Sequence, residues 1–224
     1  MSRLCKLRSR RSHDFRPIPA FTIVEILVVL AIILTLAGLV LAASSYVRNK
    51  GARSRAEAEI AAISAALENY KADNGIYPRG KSTAVPPAGT PAYLVASTGT
   101  DDLDPRIAFD PSAKPYQDAS RYLYEQLSGD TNLDLSPEAG SKSYFSFKEN
   151  QLATIKDAAG KTIGLSHIKD PFGNSYGYST SYQLDPTKGY NPTFDLWSTA
   201  NYLPQGGTSP TPTPTPQILW IKNW

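Results

Sequence analysis

The sequence predicts an α+β protein: one long N-terminal helix, its first half apolar enough for a bilayer, packs its second half on a small antiparallel β-sheet. Three observations carry this. The apolar run at residues 21–43 holds a single charge, Glu25. Beyond it, apolar residues recur at three- and four-residue steps, with no proline between Pro19 and Pro78 to break the helix. Later, short stretches of aromatic and β-branched alternation lie between turn-forming clusters, as strands do.

Residues 1–20 form a basic leader. Arg3, Lys6, Arg8, Arg10, Arg11 and Arg16 face only Asp14, a net of +5; the whole chain is +3, so the part after the leader is −2. The positive charge therefore belongs to the leader, where it holds the N-terminus on the cytoplasmic side of a membrane. Net charge points to no nucleic-acid partner for the rest. Cys5, the one cysteine, also lies in the leader, so residues 21–224 can form no disulfide and no thiolate metal site. Of the two histidines, His13 is in the leader and only His167 lies beyond it.

As a helix, residues 21–43 extend about 34 Å at ~1.5 Å per residue, enough for a bilayer core of ~30 Å. A carboxylate inside such a run costs roughly 2.5–3.5 kcal/mol, so Glu25 marks function. Three readings of this N-terminus compete. It is a secretory signal cut near Ala42, Ala43, Ser44 and Ser45. It is an uncut single-pass anchor, with Glu25 reaching up to the headgroups. Or it is cut before the apolar run, between Ala20 and Phe21, leaving that run as the mature N-terminus.

The helix is expected to run on through residues 44–74. Tyr46, Val47, Ala52, Ala56, Ile60, Ile63, Leu67 and Tyr70 form an apolar stripe at helical period. Its plain meaning is core packing. Gly38 and Gly51 are the weak points, and Asn74-Gly75 with Pro78 is the stop. One helix over residues 22–73 would be about 78 Å long at ~1.5 Å per residue.

The stretch Ala20-Phe21-Thr22-Ile23-Val24-Glu25-Ile26-Leu27 resembles the processing motif of type IV prepilins and of the pseudopilins of type II secretion. The resemblance implies that a prepilin peptidase cuts Ala20–Phe21 on the cytoplasmic side and methylates the new Phe21 amine. It makes Glu25 the acidic residue needed for assembly. The family usually carries Gly before the cut; this chain carries Ala20, the next smallest side chain. Charge pairing supplies a reason for Glu25: assembly buries it among apolar helices, and a buried carboxylate requires a partner, here the Phe21 amine of the next subunit.

Further matches follow in family order. Leu67 to Pro78, with Asn74-Gly75-Ile76-Tyr77-Pro78, resembles the helix-to-loop junction of the major pseudopilin; Gly75 would take a left-handed C′ position and Tyr77 would fold back on the helix. Asp170-Pro171-Phe172-Gly173-Asn174 resembles the family's turn, Phe194-Asp195-Leu196-Trp197-Ser198 its next strand, and Ile221-Lys222-Asn223-Trp224 its C-terminus. In between, residues 80–142 read as a variable loop region, irregular over 80–118, with a short helix at 120–127 stopped by Gly129. Strands are expected at 144–148, 175–180, 193–198 and 218–221. Residues 75–224 are thus expected to form a pilin-like globular domain.

The resemblance also implies a calcium site after the Trp-Ser strand. Here that loop reads Thr199-Ala200-Asn201-Tyr202-Leu203-Pro204-Gln205-Gly206-Gly207, without a carboxylate, so no calcium and no other cofactor is expected. Asp130-Thr131-Asn132-Leu133-Asp134 imitates the start of an EF-hand but has Leu135 and Ser141 where Gly and Glu belong; a surface turn is expected. The spacer at 208–217 alternates Pro and Thr from Pro210 to Pro216, an extended arm or glycosylation target, or simply a loop reaching back to the closing strand. Trp220 and Trp224 either pack on the sheet or helix or are exposed contacts.

No nucleophile elbow, phosphate loop, paired-carboxylate motif or Cys/His cluster is present, so the chain reads as a structural module and not an enzyme. The resemblance implies a pseudopilus subunit, with its N-terminus in the cytoplasm, one span in the inner membrane and a periplasmic globular domain. Its partners would be copies of itself, other pseudopilins, the peptidase and an inner-membrane assembly platform. A type IV pilin for adhesion, motility or DNA uptake shares the leader. A membrane-anchored binding domain that never polymerises is the rival of another class. Intact-mass measurement of the membrane-extracted protein separates these: the expected species begins at N-methylated Phe21, and one beginning at Met1 or near Ser44 rejects the pilin-like reading.

Overall fold

The computed structural model describes residues 22–81, 98–201 and 217–224. They form an α+β chain: helix α1 (Ile23–Asn74), α2 (Lys114–Ser128), strands β1 (Leu152–Lys156), β2 (Thr162–Ile168) and β3 (Gly177–Ser179), the single-turn α3 (Ser181–Leu184), β4 (Asp195–Ser198) and β5 (Ile221–Lys222). The chain divides into two compact units, Met1–Val47 and Arg48–Trp224. The leader at 1–20, residues 82–97 and residues 202–216, which hold the Pro/Thr alternation, lie outside the described residues.

Helix α1 is 52 residues long and passes Gly38 and Gly51 without interruption. In the second unit its residues Ala56, Ile60, Ile63, Ala66 and Leu67 are buried at the expected spacing, while Tyr46 and Val47, counted into the same stripe, are 69% and 65% exposed. The buried stripe therefore starts at Ala56, nearly three turns after Tyr46. The helix stops as expected: Gly75 adopts φ +78° and its N–H bonds the Lys71 carbonyl at 2.7 Å. Tyr77 folds back, donating to Glu68 Oε1 at 2.9 Å, with the Lys71 ammonium 4.5 Å above its ring.

The irregular stretch before α2 is shorter than expected, and the helix expected at 120–127 begins at Lys114. Pro115 sits in its first turn, where a missing N–H breaks no helical bond. Gly129 ends it at φ +75°. Residues 144–148 are not a strand, despite their aromatic alternation. The N–H groups of Tyr144 and Phe145 both bond the Leu127 carbonyl, at 2.8 and 2.9 Å, capping the C-terminus of α2 instead of pairing in a sheet.

Two small antiparallel sheets replace the single one expected. β1 and β2 form a hairpin between segments the sequence left unassigned, with irregularities between Ala153 and Thr154 and between Ile155 and Lys156. β3, β4 and β5 form the second sheet. The 170–174 turn closes as expected, Gly173 at φ +90° and Asp170 Oδ1 accepting from the N–H groups of Phe172 and Asn174. β5 falls at Ile221–Lys222; Ile218 and Leu219, expected as strand, lie in a 3-10 turn, Gln217–Leu219. Asn223 fastens this end, accepting from the Leu196 N–H at 2.9 Å and donating to the Phe194 carbonyl at 3.1 Å.

One core joins α1 (Ile60, Ile63, Leu67), α2 (Leu123, Leu127), the hairpin (Leu165, Ile168) and the second sheet (Tyr178, Leu196, Ile221). Each such side chain contributes roughly 1.5–3 kcal/mol when fully buried. A second cluster gathers Leu103, Tyr116, Ala119, Trp197 and Trp220. Trp197 lies against its cross-strand partner Gly177, with Trp220 stacked on it at 6.2 Å and Tyr116 edge-on at 5.3 Å. Trp224 packs edge-on to Trp197 and stacks on Tyr190 at 4.8 Å, so both C-terminal tryptophans turn inward on the sheet.

A Cβ at Gly177 would meet the Trp197 ring at 2.2 Å. Gly177→Ala is therefore expected to displace Trp197 and to destabilise the second unit by about 1–3 kcal/mol. A lowered urea midpoint in tryptophan fluorescence of the detergent-solubilised chain is the check; an unchanged midpoint refutes the close fit.

Candidate functional site

Of the residues singled out for processing and assembly, Ala20 and Phe21 lie outside the described residues, and Glu25 stands in the first turn of α1. Every large apolar side chain over residues 23–41 is at least 49% exposed. They are distributed all round the helix, which has no polar face along this stretch. α1 is long and apolar enough to cross a membrane. A helix apolar on all sides needs lipid or other apolar surface around it.

Glu25 is not alone at the head of this helix. The Thr22 Oγ1 accepts the Glu25 N–H at 3.2 Å, and Glu25 Oε2 accepts both the N–H and the hydroxyl of Thr22 at 2.9 Å. This is a capping box, satisfying two backbone donors that a helix start leaves open. A carboxylate in the first turn also gains about 0.3–1 kcal/mol from the helix dipole. The structure thus brings Glu25 together with Thr22, which the sequence reading passed over. Its signal was present: Thr-x-x-Glu before an apolar run. Within one chain the carboxylate already serves the helix start, and Oε1 accepts nothing among the described residues.

The second unit holds three buried carboxylates that a metal-site reading would single out. Asp130 accepts from the Tyr124 hydroxyl at 2.9 Å and the Leu135 N–H at 2.8 Å. The EF-hand-like segment is a turn at the surface, as expected, with Thr131, Asn132 and Asp134 exposed, while Asp130 and Leu133 turn inward and are buried. Asp195, the first residue of the strand that precedes the loop where the pseudopilin resemblance implied calcium, accepts from the N–H groups of Tyr190 and Asn191 at 2.8 and 2.9 Å. Asp170 accepts from Ser198 Oγ at 2.5 Å besides its two turn amides. Burial pushes the carboxyls of Asp170 and Asp195 above the ordinary range, while these hydrogen bonds pull the other way. Among the described residues no group of three His, Cys, Asp or Glu side chains is placed to hold a metal.

A third cluster lies on α2. Arg121 donates to Asp118 Oδ1 at 2.8 Å, Lys114 pairs with the other oxygen of Asp118, and both Arg121 and Asp118 are buried. His167 on β2 faces this group, its Nδ1 3.0 Å from Ser166 Oγ. Burial, with Lys169 and Arg121 nearby, pushes the ring down to about 4, so it stays neutral near pH 7.

No protein-family model, curated protein or solved structure matches the chain.

His167 gives a pH-dependent prediction. The unfolded ring gains its proton near pH 6.5 and the folded one near 4, so the unfolded state binds more protons between them and stability falls as pH drops through that window. His167→Gln is expected to flatten this part of the acid-side loss. Urea midpoints of the two proteins measured between pH 6.5 and 4 check it; parallel curves refute it.

Proposed function

We propose that this chain is a structural subunit of a type II secretion pseudopilus, processed by prepilin peptidase at Ala20–Phe21, methylated at Phe21 and polymerised through its N-terminal helix. The observation that carries the reading is a carboxylate at the head of an exposed helix that is apolar on all sides. A bilayer and then a bundle of like helices cover that surface in turn. In the bilayer Glu25 stands one turn from the helix end, within reach of the headgroups. In a bundle it needs a cation at the same depth, and the α-amino group created at Phe21 of the adjoining subunit supplies one.

The capping box sharpens the step. Glu25 exchanges part of its bonding to Thr22 for a bond to the incoming amine, so docking replaces one charge-assisted contact by a stronger one and fixes the axial register. The inner membrane holds the processed subunit with its second unit in the periplasm. Other pseudopilins and the inner-membrane assembly platform are the partners during growth, and the filament supports protein export. The pilin-like fold of the second unit belongs to this reading; its support is the order of the Asn74-Gly75, Asp170–Asn174 and Ile221–Trp224 motifs along the chain.

Glu25→Gln separates charge from capping, because Gln also completes a capping box. The variant is expected to be cut and methylated normally and to form no filaments. Intact mass of the extracted subunit together with immunoblots of sheared filaments gives the readout, and wild-type filament yield from this variant sinks the proposal.

A further inference from the structure

The residues just beyond the apolar stretch carry a feature the assembly reading does not use. After Glu25 the next four charged residues are Arg48, Lys50, Arg53 and Arg55, all positive, and the first acid to follow is Glu57. All four lie on α1 at the start of the second unit. Arg48, Lys50 and Arg55 are exposed and Arg53 is half-buried. At about 100° per residue, Arg48 and Arg55 share one side of the helix while Lys50 and Arg53 share the opposite side. The cations therefore encircle the helix as a collar instead of forming a stripe.

We infer that this collar binds the phosphates of anionic phospholipid headgroups in the leaflet facing the second unit. The inference rests on the membrane-spanning part of the proposed function. Arg48 follows directly on Val47, so a helix whose apolar part fills the bilayer core delivers the collar into the headgroup layer. From Arg48 to Arg55 the helix rises about 10 Å at ~1.5 Å per residue, comparable to the ~5–8 Å of headgroup region on each side of the core. Placement around the whole circumference suits a ring of lipids better than a single protein face.

The collar's internal bonding leaves donors for phosphate. Arg53 gives one nitrogen to the Leu219 carbonyl at 2.8 Å, out of five N–H donors on a guanidinium. Arg55 stands 3.5 Å from Glu59 with its side chain 55% exposed, an open contact that water and lipid phosphate can enter. Lys50 makes no ion pair among the described residues. Asn49 and Arg53, one turn apart, also line a shallow cleft with Phe172, Ala200 and Asn201, giving the half-buried cation a reachable side.

There is a topological corollary. The leader's six cations outnumber the collar's four, holding the N-terminus in the cytoplasm. Removal of the leader leaves the single Phe21 amine at one end of the apolar stretch and four cationic side chains at the other, so the balance of positive charge moves to the collar.

A probe at residue 51 tests this. Gly51 is exposed and has open space where a side chain would grow, and Cys5→Ser removes the one native thiol. The full chain carrying Cys5→Ser and Gly51→Cys, labelled there with an environment-sensitive fluorophore, is reconstituted in phosphatidylcholine–phosphatidylglycerol vesicles. Equal amounts of headgroup-nitroxide phosphatidylglycerol or headgroup-nitroxide phosphatidylcholine are then included. Quenching by the anionic lipid is expected to be at least about twofold stronger, and to lose that excess in high salt as the charges are screened. Replacing Arg48, Lys50, Arg53 and Arg55 together by Gln should equalise the two lipids while the helical circular dichroism is kept. Equal quenching in the parent protein overturns the collar, as does an excess that survives the fourfold replacement. Quenching by neither lipid overturns the membrane-spanning reading as well.

Discussion

The second unit depends on one stripe of one helix. Ala56, Ile60, Ile63, Ala66 and Leu67 supply a straight, small-to-large apolar seam, and both sheets and α2 contribute side chains to the core built on it. The sheets themselves are slight: β3 has three residues, β4 four and β5 two. Strands of that size are marginal alone, so their order derives from what they pack against. The same helix, over residues 23–41, offers apolar surface on every side. A single element thus carries two surface patterns, and the point where all-round gives way to one-sided is the main design statement of the chain.

Irregular backbone is stabilised in a consistent way. Asp130, Asp170 and Asp195 are each buried, and each accepts two backbone N–H groups of a tight turn. Each such hydrogen bond contributes about 0.5–1.5 kcal/mol and fixes the path of the turn. A carboxylate inside the chain here does the positioning that a bound cation does elsewhere. It needs no ligand, but burial disfavours the charged form, and the carboxyls of Asp170 and Asp195 are pushed upward by it.

Legibility in the sequence followed the range of the interactions. The helix, its Gly75 stop and the 170–174 turn are local devices, readable from residues a few positions apart, and they stand where expected. The β1–β2 hairpin was hidden because its strands are irregular in register and half-buried, which blurs the period of two. Its turn at Asp157–Gly160 was the available signal, Gly160 taking φ +81°. Tyr144, Phe145 and Phe147 looked like strand, and their rings do join the core, but the backbone partner was a helix end twenty positions or fewer away. At the candidate site the carboxylate stands out as the one charge in an apolar run, whereas its partner Thr22 is uncharged and shows only as the start of a Thr-x-x-Glu cap.

The ties around residues 82–97 have a consequence for how the fold closes. On the near side stand Arg79 and Gly80, on the far side Thr100 and Asp101, joined by the Arg79–Asp101 ion pair at 2.7 Å and the Thr100–Gly80 backbone bond at 2.8 Å. Thr180 locks the pair to the second sheet through Asp101 Oδ1. These ties bring residues 20 positions or more apart in sequence into direct contact, and each doubling of the length of a flexible chain closed in this way costs only about 0.6 kcal/mol. Such a base is a clasp: it closes the chain on itself through Arg79, Gly80, Thr100, Asp101 and Thr180, so the fold at this corner rests on residues that flank the interval.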